Sequence, residues 1–412
     1  MKKVTVLLGA GAAIPWNAPA TSTITNAFKN STDHIIDQET LGIWMDRILI
    51  QELQYPRLSV NFETYVDFME SVSMFLLGQD KHLNYSMQSS LYKLFELRND
   101  ITEGIKNLIW SNHSTFSSDA IKALHSFYSL IRIIGNQVIP YLNNYEKKDI
   151  SLNNKLLQFY EHFITVGYSV RAYTLNYDRS IPLVFESASS RYDIFDGFDI
   201  TNTYADNNMG DLYLLNRSKV INDTQCHSFY NLHGSFHWSF QDADYKVTRS
   251  TIPFTIMSTK KYKYYPSSFV EEYFNNTNPN EKIFPTNIIT GYRKTQRANL
   301  EPFNFFYHSF FHDIYQSEII IVVGYSYSDP HINHLLKEAM RRNTKIYNIS
   351  FRQLSPEAIK NGYTGFEGMV LKNNYPDYTK WFREAALYFS EYPNGFTQFL
   401  EDEEWFNILP VC

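Results

Sequence analysis

The spacing of apolar residues predicts two kinds of structure in this chain. Short apolar, β-branched runs at 4–8, 169–175, 228–232, 319–323 and 345–351 predict buried strands. Each run leads into a polar or glycine-containing turn. In a doubly wound sheet, ligands gather beyond the carboxyl ends of the strands. The pattern therefore predicts an α/β fold, a Rossmann-like doubly wound parallel sheet, with the functional residues in these turns.

The segment between the first two predicted strands has helical periodicity instead. Asn61 and Ser117 are candidate N-caps of such helices. Two apolar stripes recur every three or four positions: Phe62, Tyr65, Val66, Met69, Val72 and Leu76, then Leu91, Leu94, Phe95, Ile101, Ile105 and Leu108. These stripes predict a large all-helical insertion.

The predicted organisation has four parts. Residues 1–38 begin the Rossmann-like domain, 39–165 form the insertion, 166–350 complete the domain, and 351–412 form a C-terminal α/β tail that packs on it. Segments 202–222 and 275–282 are rich in polar residues, and we predict that both are loops.

Composition and charge exclude several classes of protein. The 412 residues are 44% hydrophobic, so the chain can bury a large core, and a net charge of -6 provides no basic face for duplex nucleic acid. We therefore expect no direct nucleic-acid binding. Cys226 and Cys412 are the only cysteines and lie far apart, so we expect no disulfide framework and no bound metal, in a reducing compartment.

Targeting segments are also not expected. The apolar run at 4–8 is shorter than the core of a signal peptide. No other stretch approaches the ~20 apolar residues of a membrane span. A cytoplasmic protein that makes no membrane contact is the expectation.

The turn after the first strand carries the first candidate chemistry. Gly9-Ala10-Gly11-Ala12 matches the first two glycines of the dinucleotide-binding fingerprint, which allow close approach to a pyrophosphate at a helix N-terminus. Ile14 replaces the third glycine, and no acidic residue follows about 20 positions later, which disfavours an ordinary dehydrogenase. A purely structural glycine turn is the alternative.

Three further motifs follow in order. They are Thr174-Leu175-Asn176-Tyr177-Asp178, Leu232-His233-Gly234-Ser235 and Gly324-Tyr325-Ser326-Tyr327-Ser328-Asp329-Pro330-His331. With the glycine turn and Ile14-Pro15, they resemble the ordered motifs of the sirtuin superfamily, most of all the bacterial sirtuin-like effectors of antiphage defence. The resemblance covers roughly half of the chain and depends on the order of the motifs. It implies a Rossmann-like fold that takes NAD⁺ as its substrate.

The resemblance implies a role for each motif. Asn176 would hold the attacking water beside the nicotinamide ribose, and His233 would be the base that faces the ribose hydroxyls. The cofactor-binding residues would be Gly9, Ala10, Gly11 and Ala12 at the phosphates, Asp178 orienting the loop or the nicotinamide pocket, and Gly324, Ser326 and Asp329 on the adenosine side.

The residue types suit this chemistry independently of the resemblance. The leaving group is already cationic, so a positioned water and a base are sufficient. Histidine has an ordinary pKa of about 6.5, which suits a general base, and asparagine can hold a water without adding charge. Alternatively, Asn176 and His233 are ordinary turn residues. We expect His237 and Trp238 in the core, and His331 at the start of a helix that carries Leu335 and Leu336.

Two departures from the family narrow the expected activity. Protein-deacylating sirtuins carry a four-cysteine zinc module and a Pro-Asp-Phe-Arg element, whereas this chain has two distant cysteines and Trp16-Asn17-Ala18-Pro19 after Pro15. We therefore predict an NAD⁺ glycohydrolase that releases nicotinamide and ADP-ribose and acts in antiphage defence by depleting NAD⁺. The alternatives are a non-catalytic sensor of NAD⁺ or ADP-ribose and an NAD-dependent protein deacylase.

Regulation is expected from outside the catalytic domain, because the sequence shows no second enzymatic or sensing domain. The size of the chain is similar to that of the sirtuin-like subunit that accompanies a HerA-type hexameric ATPase. This similarity predicts a HerA-type ATPase as partner. Homo-oligomerisation through the insertion is the alternative means of control.

Overall fold

The structure is a computed structural model of the chain. It describes residues 2–36, 38–53, 60–79, 99–110, 119–148, 150–187, 192–206, 210–241, 246–250, 286–291, 294–327, 329–342, 344–350 and 389–408. The strands are β1 (Lys2–Leu8), β2 (His34–Ile36), β3 (Glu39–Thr40), β4 (Ile109–Trp110), β5 (Tyr168–Thr174), β6 (Phe198–Asp206), β7 (Gly210–Leu215), β8 (Ser228–Asn231), β9 (Trp238–Gln241), β10 (Lys246–Ser250), β11 (Ile319–Val323), β12 (Lys345–Ile349) and β13 (Phe389–Tyr392).

Helices cover both faces of the main sheet and fill the insertion. They are α1 (Thr21–Asn30), α2 (Leu41–Asp46), α3 (Phe62–Gln79), α4 (Asn99–Lys106), α5 (Asp119–Lys148), α6 (Ile150–Thr165), α7 (Ser180–Ser187), α8 (Arg217–Asn222), α9 (Lys294–Arg297), α10 (Phe303–Gln316), α11 (Pro330–Arg341) and α12 (Gly395–Glu401). Single 3-10 turns lie at Ala10–Ala12, Ile14–Trp16 and Glu404–Asn407, and a π-helical turn at Arg47–Glu52.

Six described strands form one parallel sheet in the order β13-β12-β11-β1-β5-β8. Numbered along the chain, these strands stand in the order 6-5-4-1-2-3, which is the Rossmann arrangement viewed from the other edge. Every residue of β5 and β11 is buried, as expected for strands covered on both faces. The predicted Rossmann-like doubly wound sheet is confirmed, and its direction of winding reverses between β1 and β11.

The described residues of the insertion are mainly helical, apart from the two-residue strands β3 and β4, which pair with β2. Asn61 caps α3 as predicted, because its Oδ1 accepts hydrogen bonds from the backbone N–H groups of Glu63 (2.9 Å) and Thr64 (3.3 Å). The predicted stripe residues that are buried are Phe62, Tyr65, Val66, Met69, Val72, Ile101, Ile105 and Leu108. Leu91, Leu94, Phe95 and Ser117 lie outside the described residues.

The prediction of a loop at 202–222 is wrong. This segment contains the end of β6, all of β7 and α8, and β6 and β7 belong to a four-stranded antiparallel sheet in the order β6-β7-β10-β9. Leu212 is fully buried in β7, but the residues around it are exposed or half-buried. The strand is defined by its pairing with β6 and β10 and not by a clear apolar alternation in its sequence. The predicted loop at 275–282 lies outside the described residues.

The described C-terminal residues 389–408 join the fold at two places. β13 pairs in parallel with β12, and α12 packs against α6. The ring of Phe159 on α6 lies 5.8 Å from that of Phe399 and 6.1 Å from that of Trp405. Among the described residues, no helix is long and apolar enough to span a membrane.

Candidate active site

Four turns meet where the winding of the sheet reverses. They follow β11, β1, β5 and β8, which are neighbours in the sheet. Backbone hydrogen bonds tie the turns together beyond the strands: Gly9 N–H donates to Val323 O (2.8 Å), Leu175 N–H to Leu8 O (2.9 Å) and Leu232 N–H to Thr174 O (2.9 Å). Parallel strands end at one edge, so motifs that are far apart in the sequence come together here.

The glycines of the first and last motifs pack against each other. Gly11 N–H donates to Gly324 O at 2.8 Å, and Gly324 has a left-handed φ of 58°. A Cβ on Gly9 would lie 2.5 Å from the Cα of Tyr325, and one on Gly11 would lie 2.8 Å from the Cα of Gly324. The close approach of the two turns therefore requires glycine, whatever ligand the turns hold.

A cavity of about 270 Å³ opens between these turns and the insertion. Its lining from the sheet edge comprises Gly9, Ala10, Leu175, Asn176, Tyr177, His233, Tyr325, Ser326 and Asp329. The segment leading into α1, α1 itself and the insertion supply Ala13, Ala18, Pro19, Thr21, Ile24, Asn61, Phe62, Glu63, Val138 and Tyr141, and α9 supplies Lys294. The predicted catalytic residues Asn176 and His233 therefore share one cavity, and the insertion forms its opposite wall.

Asn176 is held by the strand-end turns. Its backbone N–H donates to Thr174 Oγ1 (3.0 Å), and its side-chain Nδ2 donates to the carbonyl of Gly9 (2.9 Å). Its own carbonyl accepts from Asn231 Nδ2 at 3.2 Å. With Nδ2 fixed on Gly9, Oδ1 is the acceptor that this side chain offers to a ligand hydroxyl or a water.

His233 is 3% exposed, and its Nε2 has no hydrogen-bond partner among the described residues. Burial, with the positive charge of Lys294, lowers the pKa of His233 to about 3. The expectation of a base with a pKa near 6.5 is therefore wrong for the free site, because burial disfavours the imidazolium. A neutral imidazole with an unpaired nitrogen instead offers a hydrogen bond to a ligand.

Residues 287–289, which belong to no predicted motif, hold His233 in place. Ile289 N–H donates to His233 O (2.7 Å), and Ser235 N–H donates to Asn287 O (3.0 Å). Gly234, with φ of 86°, lets these chains meet, because a Cβ there would lie 2.2 Å from Asn287 O. α9 begins shortly after this segment in the sequence and places Lys294 at the cavity.

Lys294 connects two carboxylates at the cavity. Its Nζ lies 2.7 Å from Asp329 Oδ1 and 2.9 Å from Glu63 Oε1. Burial lowers the pKa of Lys294, but the two carboxylates outweigh this effect and raise it. Burial likewise opposes ionisation of Asp329, but the charge and the hydrogen bond of Lys294 hold its pKa below the ordinary value. Sequence analysis missed Glu63 and Lys294, since neither belongs to a motif.

Comparison with known protein families agrees with this geometry. Residues 170–354 match the family model of the SIR2-like domain. The match covers Asn176, His233, Lys294 and Asp329 but neither the glycine turn nor Glu63, and it spans less than half of the chain. SIR2-like domains bind NAD⁺ and are in general NAD-dependent enzymes. No curated protein matches the chain significantly.

Several other residues that the sequence analysis named lie away from the cavity lining. Asp178 is 1% exposed, and its carboxylate accepts hydrogen bonds from Tyr141 OH and from Ser180 N–H (3.0 Å), so it orients the loop after β5. His237 and Trp238 are buried in the core, as predicted. His331 lies in the first turn of α11, whose Leu335 and Leu336 are buried, as predicted.

A second cavity of about 530 Å³ lies on the other side of the interlocked glycine turns. Gly11, Gly324 and Ser326 line it, and Tyr325 and Ser326 line both cavities. Its far wall comes from Ile349, Ser350 and the described C-terminal residues 394–398. The predicted adenosine-side residues Gly324 and Ser326 thus border a space next to the Asn176 cavity, whereas Asp329 lies with His233. Ala12 is buried and borders neither cavity.

A metal site is not formed by the described residues. They contain no group of three or more His, Cys, Asp or Glu side chains that could hold a metal ion. The expectation that the protein binds no metal stays a prediction.

Proposed function

We propose that the protein is an NAD⁺ glycohydrolase, which cleaves the nicotinamide–ribose bond to give nicotinamide and ADP-ribose. The observation that carries the proposal is the shared cavity in which Asn176 and the unpaired, buried His233 line the carboxyl edge of a SIR2-like sheet. Both cavities border the glycine turns, so a dinucleotide can lie across them with its pyrophosphate at Gly9 and Ala10.

The proposed reaction moves the positive charge of the substrate from nicotinamide to the ribose. The C–N bond breaks with its electron pair leaving on nicotinamide, which becomes neutral while the ribose takes on oxocarbenium character. Water adds to the ribose carbon, and its proton is released. Asn176 holds the water, and neutral His233 accepts a hydrogen bond from a ribose hydroxyl. Because the acceptor carbon is cationic, water attack needs little help from a base, so a histidine with a lowered pKa is adequate.

The carboxylate of Asp329 supports His233 during this step. Its negative charge favours a protonated imidazole, which opposes the effects of burial and of Lys294. If His233 takes the proton from a hydroxyl or water, Asp329 is therefore the group that stabilises the resulting imidazolium. Proximity and fixed orientation supply the remainder of the rate enhancement.

Two variants test the proposal. Purified protein is incubated with NAD⁺, alone and with candidate partners, and nicotinamide and ADP-ribose are separated by chromatography. We expect Asn176→Ala and His233→Ala to lose at least about 100-fold in turnover while keeping the thermal midpoint of the wild type. Asn222→Ala and His308→Ala, on exposed helix positions, are the matched controls and should turn over normally.

The outcomes separate the candidate functions. Wild-type turnover in both site variants would refute the assignment of Asn176 and His233. Tight binding of NAD⁺ without turnover, even with partners present, would favour a sensor. Release of nicotinamide only when an acylated peptide is added would identify a deacylase.

We propose further that the enzyme acts in antiphage defence by depleting NAD⁺ and is controlled by assembly. A glycohydrolase of this kind must be silent until needed, and the insertion that forms one wall of the cavity offers a route for control. A HerA-type ATPase is the proposed partner, with homo-oligomerisation as the alternative. Co-expression with such an ATPase followed by size-exclusion chromatography tests this, and two species that never co-elute would refute it.

A further inference from the structure

The charged residues of the active-site cavity do not balance. Among its lining residues, two carboxylates, Glu63 and Asp329, face a single ammonium, Lys294. His233 adds no positive charge, because its pKa of about 3 keeps it neutral. The lining therefore carries a net charge of about -1 when both acids are ionised.

Both acids form close ion pairs with Lys294, but their side chains differ in exposure. Asp329 is the closer partner at 2.7 Å, and its side chain is 7% exposed. Glu63 is farther at 2.9 Å, and its side chain is 30% exposed. Lys294 therefore shares its single charge between two close carboxylates, and Glu63 is the more exposed of the two acids that line the cavity.

The insertion fixes the position of Glu63. Glu63 lies in the first turn of α3. Its backbone N–H donates to the side chain of Asn61, which caps the helix, at 2.9 Å. Arg297 on α9 lies 2.6 Å from Glu70, which is about two turns further along α3 than Glu63, and both side chains are almost fully buried. Lys294 and Arg297 thus hold the same face of α3 against α9, so the carboxylate is a fixed part of the cavity wall.

We propose that Glu63 gives the cavity its surplus negative charge and thereby selects the cationic nicotinamide of oxidised NAD⁺ over ligands without that charge. The inference rests on the proposed function and names the feature of the substrate that the insertion recognises. The nicotinamide ring of NAD⁺ is positive until the glycosidic bond breaks, and the positive charge then passes to the ribose. A fixed carboxylate nearby favours both states. The reduced dinucleotide and ADP-ribose lack this charge.

Glu63 acts here as a specificity residue, so its test is the relative affinity for charged and uncharged ligands. An Asn176→Ala background stops turnover, and NAD⁺, NADH and ADP-ribose are each titrated by calorimetry. Adding Glu63→Gln should weaken NAD⁺ about tenfold, the scale of one charge contact near a protein surface. The affinities for NADH and ADP-ribose should change by less than about twofold.

Two further variants control for shape and for total charge. Glu63→Asp keeps the carboxylate and should preserve most of the preference for NAD⁺. Glu318→Gln removes the same charge from a half-exposed side chain beside Lys2, away from the lining of the cavity, and should change none of the three affinities. Equal weakening of all three ligands by Glu63→Gln, or an unchanged NAD⁺ affinity, would overturn the proposal.

Acidification provides a second test that a purely structural role would not affect. Burial raises the pKa of Glu63 above its ordinary value of 4.5, although Lys294 opposes the rise. The other groups that face it are Asp329 with a lowered pKa, Tyr177 and Lys294 with raised ones, and His233 near 3, so none of them changes charge between pH 5 and 8. The ratio of NAD⁺ to ADP-ribose affinity should therefore fall as pH falls toward 5, and Glu63→Gln should abolish this dependence.

Failure of the inference differs from failure of the proposed function. If wild-type protein cleaves NAD⁺ but Glu63→Gln leaves the ligand preference unchanged, only the role of Glu63 is refuted. If wild-type protein neither binds nor cleaves NAD⁺, the proposed function fails and the inference fails with it.

Discussion

Gly324→Ala should destabilise the fold far more than the addition of a single methyl group suggests. Gly324 has φ of 58°, and a Cβ there would lie 2.4 Å from both Ala12 N and Gly11 C, which are backbone atoms that cannot rotate away. The left-handed conformation costs a residue with a side chain about 1–2 kcal/mol. Displacing packed neighbours adds about 1–3 kcal/mol. The expected loss in the free energy of unfolding is therefore about 2–5 kcal/mol.

Gly167→Ala separates these two costs. Gly167 also has a left-handed φ of 92°, but a Cβ there would meet nothing within 4 Å. Gly167→Ala should lose only the conformational contribution to the free energy of unfolding, about 1–2 kcal/mol. Urea denaturation followed by circular dichroism measures both variants, and NAD⁺ titration shows whether the turn has moved. If Gly324→Ala is no less stable than Gly167→Ala, the two turns do not interlock as argued.

Two other predictions concern buried charge. Glu70→Ala leaves Arg297 buried without its partner and should lower the free energy of unfolding by about 3–5 kcal/mol, whereas Glu338→Ala in the exposed pair with Arg341 should cost less than about 1 kcal/mol in the same urea titration. Acidification should also destabilise the fold, because below pH 6.5 the unfolded state binds more protons than the folded state. The expected loss in the free energy of unfolding is about 2 kcal/mol at pH 5 for each buried histidine with a lowered pKa. Urea midpoints at pH 7 and pH 5 measure this effect, and equal midpoints would contradict the lowered pKa of about 3 of each buried histidine: His34, His233 and His237.

The part of the site that follows strands could be predicted from the sequence. Asn176 and His233 each come directly after an apolar run, and a parallel sheet brings such positions to one edge by construction. Glu63 and Lys294 could not be found this way. They lie in the first turns of two helices that meet only in the folded chain, and their side chains pair across 231 positions of sequence, from 63 to 294.

The environment of a predicted residue could not be predicted from the sequence either. His233 was expected to titrate near pH 6.5, but a residue's pKa depends on how deeply the fold buries it and on which charges approach it. The strand pair β6 and β7 was missed for a related reason. The sequence of β6, FDITNTYAD, is rich in polar residues, and that of β7, GDLYLL, does not alternate, so the apolar alternation that identifies a strand is weak there.

The insertion is best understood as part of the candidate site rather than as an appended module, because its residues line the cavity. Two ion pairs join α3 of the insertion to α9, which lies in the region that matches the SIR2-like model: Glu63 with Lys294 at the cavity and Glu70 with Arg297 in the interior. Because both pairs connect the same two helices, a partner or a second copy that shifts α3 would move Glu63 and Lys294 together with the cavity wall. The same contacts that would give the enzyme its preference for a cationic substrate would then also make its activity responsive to assembly.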